Sequence, residues 1–269
     1  MGSWKERASS SAEYLLRECA PIQFPVDLIR LAVRRRILRI HFRPLPCDGA
    51  IEVVPDGFVV HLKSNKEQLV PVTAVDSSAM SSRQRFTLAH ELSHTFFYDS
   101  KRQPIKPHPR RRLLESACNY GALHLLLPRN LLQREIGLGR RFDSVELACD
   151  IASTAQVSIE SVLQRVDELE ELKESEYALM AFRRQDDDTM VTTAVCLSGT
   201  FTTLPRPIPY TVPPKWVQQI VPDISTTSEV VHRLRYRDRT FVSRRVTARR
   251  SAGCVLVESR VDRQASSSV

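Results

Sequence analysis

Arg83-Gln84-Arg85-Phe86-Thr87-Leu88-Ala89-His90-Glu91-Leu92-Ser93-His94 is the stretch that decides how this chain is read. Ser81 stands just ahead of it and three residues before Gln84, the capping-box spacing that marks a helix N-terminus. Phe86, Leu88, Ala89, Leu92, Phe96 and Phe97 cover nearly every side of that helix, so it is expected in the middle of a domain, ending before Pro104. Within it stands H-E-x-x-H. Residues four apart on a helix are only about 40° apart around its axis and roughly 6 Å along it, so His90 and His94 offer two imidazoles from one face to one ion. Glu91, about 100° further round, can reach an ion-bound water without binding the ion itself. The bland alternative is two core histidines and a surface glutamate. It would leave polar groups without partners in an apolar helix, at a cost of several kcal/mol.

A catalytic zinc takes a third protein donor and keeps one position for water. The extended motif that would supply a third histidine fails, because its glycine position holds Phe97 and its histidine position Ser100. Asp99 follows His94 too soon to swing back. Glu115, expected on the next helix, is better placed, and Asn119 one turn later shares its face as a candidate support for a ligand. The alternative for Glu115 is an exposed helix glutamate. His108 lies in a Pro/Arg loop and reads as solvated, while His124 is about half a turn out of phase with Glu115 and should face away. Tyr98, one turn after His94, is a candidate for hydrogen-bonding a developing oxyanion, its alternative being an ordinary packed tyrosine.

Outward from this core, Ala12 to Arg39 has helical character, broken at Pro21 to Pro25 and resuming near Val26. Ile51 to Val54 and Phe58 to Leu62 flank Pro55-Asp56-Gly57 and read as a hairpin, and Val70 to Val75 as a further strand. A basic loop, Lys101 to Arg112, leads into a helix with Leu114, Ala117, Gly121 and Leu125 on one face, stopping before Pro128. Helices are expected over Ser144 to Thr154 and Ser158 to Glu174. From Tyr177 the texture turns β-like: Ala178 to Arg183, Met190 to Leu197, Val230 to Tyr236, Thr240 to Val246 and Cys254 to Val261.

The 269 residues, 42% of them apolar, can supply a real core. No run approaches the roughly 18 apolar residues that span a bilayer, and Met1 to Ser11 lacks the apolar segment of a signal peptide, so a soluble, cytoplasmic protein without membrane contact is expected. Six scattered cysteines form no C-x-x-C pair and read as small core residues in a reducing compartment. The net charge of +8 gathers at Arg34 to Arg36, at Arg110 to Arg112 and between Arg233 and Arg250, most simply solvated faces.

At this point the chain resembles the ImmA/IrrE metallopeptidase family. The opening stretch is similar to that family's R-Q-R-F-T-x-A-H-E-[LI]-[GS]-H block. Glu115-Ser116-Ala117-Cys118-Asn119-Tyr120-Gly121-Ala122-Leu123-His124-Leu125-Leu126-Leu127-Pro128 is similar to its E-x-E-A-N-x-F-A-x-x-L-L-M-P block. The resemblance extends over roughly residues 12 to 172, and it puts the family's metal-binding glutamate on Glu115. Ala117, Cys118 and Gly121 depart from the second block. It implies a zinc endopeptidase that cleaves a helix-turn-helix transcriptional repressor, relieving repression in a mobile element or a stress response. The N-terminal DNA-binding domain of some members is not expected before Ala12; the β-rich C-terminal region matches, in position and texture only, the GAF-like sensor of others.

The resulting expectation is an α+β chain. A disordered tail over 1–11 precedes a zincin-like domain of helices and a small sheet over 12–174. A smaller β-rich domain over 175–263, whose role the sequence leaves open between sensing and substrate binding, and a frayed tail over 264–269 follow. One Zn2+ is held by His90, His94 and Glu115, with Glu91 as general base. Two rivals stand beside it. A DNA-binding regulator would use the helices near 144–154 and 158–174 as a helix-turn-helix and the basic C-terminal region as a phosphate grip. Glu160, Asp167, Glu168, Glu170, Glu171 and Glu174 on the would-be recognition helix oppose this. A zinc-binding, non-catalytic regulator would have no need of Glu91.

Overall fold

Ser3 sets the first boundary. In the computed structural model, its hydroxyl accepts from the Glu6 backbone N–H while the Glu6 carboxylate accepts from the Ser3 N–H, and this capping box starts α1 at Trp4–Glu18. The structure describes residues 3–106, 109–137, 141–142, 144–173, 177–184, 190–197, 232–236, 239–251 and 254–261. The helix expected from Ala12 therefore begins inside the stretch expected to be a tail, and Ala8 is buried with Ala12, Leu15 and Leu16.

α2 (Leu28–Arg34) is capped by Asp27, whose carboxylate accepts from Ile29 N and Arg30 N. It stops at Arg36, which has a φ of 58°, and the chain continues as β1 (Ile37–Arg43) rather than as the helix expected through Arg39. A register irregularity between Ile37 and Arg39 puts Ile37 and Ile40 on the buried face. Apolar residues three apart imitate a helical period, which is why the strand escapes a periodicity reading. β2 (Gly49–Val54) and β3 (Gly57–Lys63) form the expected hairpin. β4 (Gln68–Pro71) is shorter than the strand expected to Val75, because the chain turns into a 3-10 segment at Val72–Ala74. The sheet order is β2-β3-β1-β4, with β1 parallel to β3 and the outer pairings antiparallel. Phe58, Val60 and Leu62 are buried, and the neighbour of β2 and β3 is α3 (Ser82–His94).

After Arg111–Leu126 (α4), which packs on α1 and α3, α5 (Arg129–Ile136) follows directly on Pro128. The α3–α4 approach is close at Gly121, where a Cβ would lie 2.8 Å from Ser93 Oγ. α6 (Val145–Ala155) and α7 (Ile159–Asp167) come next, the latter ending before the Glu174 expected, with a 3-10 turn at Glu170–Leu172. β5 (Tyr177–Arg184), β6 (Met190–Leu197), β7 (His232–Tyr236), β8 (Arg239–Ser251) and β9 (Cys254–Val261) make an antiparallel sheet in the order β6-β5-β9-β8-β7. α7 packs on β5 and β6, where Leu179, Ala181, Ala194 and Cys196 are buried. By contact the chain divides into Met1–Leu132 with Ser153–Ser158, and Gln133–Ala152 with Ile159–Val269. The architecture is α+β, and no helix among the described residues is long and apolar enough to cross a membrane.

Candidate metal centre

The helix that carries His90, Glu91 and His94 is fixed at both ends by arginines. Arg85, fully buried, donates from Nη1 to the Ser77 carbonyl at 3.1 Å and from Nη2 to the Val26 carbonyl at 2.9 Å. Burial pulls its pKa down and the nearby Asp27 carboxylate opposes that. Beyond the other end, Arg35 donates to Thr95 Oγ1 at 2.9 Å and Arg7 to the Phe96 carbonyl at 3.0 Å. Cations there also suit the negative pole of the helix dipole. Ser81 and Gln84 close the capping box expected from the sequence.

The two histidines meet as their four-residue spacing requires. His90 Nε2 lies 3.1 Å from His94 Nε2 and 3.1 Å from Glu115 Oε2; His94 Nε2 lies 3.9 Å from the same oxygen. Asn119 Oδ1 stands 2.8 Å from His90 Nδ1. Since that oxygen can only accept, it calls for a proton on His90 Nδ1, and in the neutral ring Nε2 then directs a lone pair at the carboxylate. A lone pair facing a carboxylate oxygen at hydrogen-bond distance is repulsive unless a cation stands among the donors. Donors about 2.0–2.2 Å from a tetrahedral zinc are themselves roughly 3.3–3.6 Å apart. The three separations straddle that value, so the donor set fits one such ion, with Asn119 orienting His90 from behind. The ligating atoms of His90, Glu91 and His94 also lie within 4.8 Å of one another.

Glu91 is only 5% exposed, whereas the Glu115 side chain is 44% exposed. Burial, and secondarily the Glu115 charge, pushes the Glu91 carboxyl up to about 8. Room for it depends on Gly49, the first residue of β2: a Cβ there would lie 2.9 Å from Glu91 Oε1 and 2.4 Å from Thr87 Cγ2. Nothing in the sequence marks Gly49 for this role. Cys118 is a second unheralded neighbour; burial raises its thiol pKa, and the charges of Glu115 and Glu91 add to this.

The remaining candidates make other contacts. Tyr98 packs edge-on against Phe58, ring centroids 5.5 Å apart, and bridges to Pro104. His124 is buried against Tyr120, with ring centroids 4.6 Å apart. His108 lies outside the described residues.

Three comparisons bear on this geometry. Residues 55–167, which include His90, Glu91, His94 and Glu115, match the IrrE N-terminal-like domain, a peptidase family. The radiation response metalloprotease IrrE of Deinococcus deserti is 32% identical over 124 residues, which is 44% of this chain and 43% of that protein. The match thus spans less than half the length of that relative. A solved Mycobacterium tuberculosis transcriptional regulator shares the fold at a TM-score of 0.51, with 16% identity, over 95% of this chain and 76% of that one. Over residues 55–167, with its histidine pair and glutamates in place, this chain carries a domain that matches the IrrE N-terminal-like peptidase family.

Proposed function

We propose that the chain is a zinc-dependent endopeptidase in which His90, His94 and Glu115 hold one ion and Glu91 is the general base. The observation that carries this reading is the convergence of two imidazole nitrogens and a carboxylate oxygen beside a second, buried carboxylate. When bound, zinc would polarise the substrate carbonyl and acidify the attacking water. Glu91 accepts the water's proton and passes it to the departing amine. With its pKa near 8, Glu91 is mostly protonated at neutral pH in the ion-free chain. A cation beside it opposes both causes of that shift and restores the carboxylate a base requires. Asn119 holds the His90 ring in the orientation and tautomer that binding needs.

The substrate we infer is a protein, and specifically a helix-turn-helix repressor whose cleavage relieves repression; the family resemblance supports this. The alternative, a non-catalytic zinc-binding regulator, makes no use of a buried carboxylate one residue from a ligand. The two readings part in one experiment. Glu91→Gln should keep zinc, measured by elemental mass spectrometry, and lose cleavage by at least about a thousandfold, whereas His94→Ala should lose both. A Glu91→Gln protein that cuts at the wild-type rate removes the base assignment.

A further inference from the structure

A polar recess lies beside the N-terminal half of α3. It has a volume of about 310 Å3 and is lined by Asp48, Lys63, Ser81, Arg83, Gln84 and Thr87. Thr87 lies four residues before Glu91 on α3, one turn away on the same face. The same point in space above Gly49 is within 2.4 Å of Thr87 Cγ2 and 2.9 Å of Glu91 Oε1. The wall of the recess and the proposed base therefore flank the first residue of β2 together.

The recess has a one-sided hydrogen-bonding capacity. Arg83 occupies both oxygens of Asp48, Nη2 reaching Oδ1 at 2.6 Å and Nε reaching Oδ2 at 3.1 Å. Gln84 Oε1 accepts from the Ser81 N–H at 3.1 Å and from its hydroxyl at 3.3 Å, and Ser81 Oγ accepts in turn from the Gln84 N–H. The Thr87 hydroxyl donates to the Arg83 carbonyl at 2.9 Å. Asp48 thus answers Arg83, and Ser81 and Gln84 answer each other, while the Gln84 side-chain amide and the Lys63 ammonium are donors that none of these contacts uses. With Asp48 committed to Arg83, the charge of Lys63 is uncompensated within the recess.

A lining that offers donors and one spare positive charge is complementary to a carboxylate. We propose that the recess receives an aspartate or glutamate side chain of the polypeptide substrate next to the bond cleaved, and that Lys63 is the residue that reads its charge; this rests on the proteolytic reading above. An amide in the same place forfeits the charge-assisted bond. A lysine or arginine meets two cations.

The test has two arms. In the first, the zinc-loaded full chain is incubated with a proteome-derived peptide library and the new termini are sequenced. Asp and Glu should be enriched about tenfold over Asn and Gln at one position beside the cut. Lys63→Gln should erase that enrichment and Lys63→Glu should turn it toward Lys and Arg. Cleavage with no acidic preference, or a preference that survives both substitutions, overturns the proposal while leaving the peptidase reading intact. The second arm needs no turnover. Glu91→Gln protein is titrated with short peptides differing only in Glu, Gln or Lys, with binding followed by NMR at Thr87 and neighbouring backbone amides. The Glu peptide should bind about tenfold more tightly than the Gln peptide. Equal affinities overturn the recess assignment even if wild type cuts nothing, and an absence of cutting tells only against the peptidase reading.

Discussion

At the scale of single residues, the consequential group is Glu91, a carboxyl buried where charge is disfavoured. Its folded pKa of about 8 stands above the ordinary 4.5. The protonated form is therefore the one the fold prefers. That contribution to stability is complete below about pH 4.5 and is lost as pH rises through 8. In chelator-treated protein, Glu91→Gln removes the dependence. The melting temperatures of the two proteins should change relative to each other between pH 4.5 and 8, the difference moving in the variant's favour by on the order of 4 kcal/mol. Parallel melting curves across that range would remove the claim that burial holds this group. His90, Glu91 and His94 are legible in sequence because helical spacing is local. Glu115 and Asn119 were reachable through helical phase and the second family block. Gly49 was not, since its part comes from β2 passing close to α3, a long-range approach that leaves no periodic trace.

Among elements, the α3–α4 contact sets where Glu115 stands relative to the histidines. Gly121 lets the two helices close to the point where its missing Cβ would touch Ser93. Gly121→Val should cost about 1–3 kcal/mol through overpacking, read as a lower urea midpoint, and should reduce zinc affinity alongside. An unchanged midpoint would show that the helices can part there freely. Two elements were misread for definable reasons. The irregularity in β1 gave Ile37 and Ile40 a helical spacing. The helix before Pro128 stops as expected, at Leu126, but α5 was missed: the Pro128 carbonyl accepts from Leu131 N and Leu132 N and so starts a new helix.

Over the whole molecule, the shift from helices to strands near Tyr177 was legible as a change of texture, and the β-like runs became β5 to β9 with their ends moved by a few residues. The cysteines followed the core expectation only in part. Cys19, Cys118 and Cys196 are buried, while Cys47 is exposed just ahead of β2. Among the described cysteines, a maleimide added to native protein should label Cys47 first, and Cys19 and Cys118 only at the rate of unfolding, as followed by peptide mass mapping. Prompt labelling of Cys118 would mean that the interior around Glu91 opens far below global unfolding. The arginines that grip α3 have a further consequence for anyone dissecting this chain. Val26, Arg7 and Arg35 all precede residue 55, where the recognisable family signature begins. An excised fragment beginning at that signature would carry every reactive side chain, yet it would leave a buried guanidinium with an orphaned proton and the end of its helix unanchored. The autonomous folding piece has to reach back to Ser3.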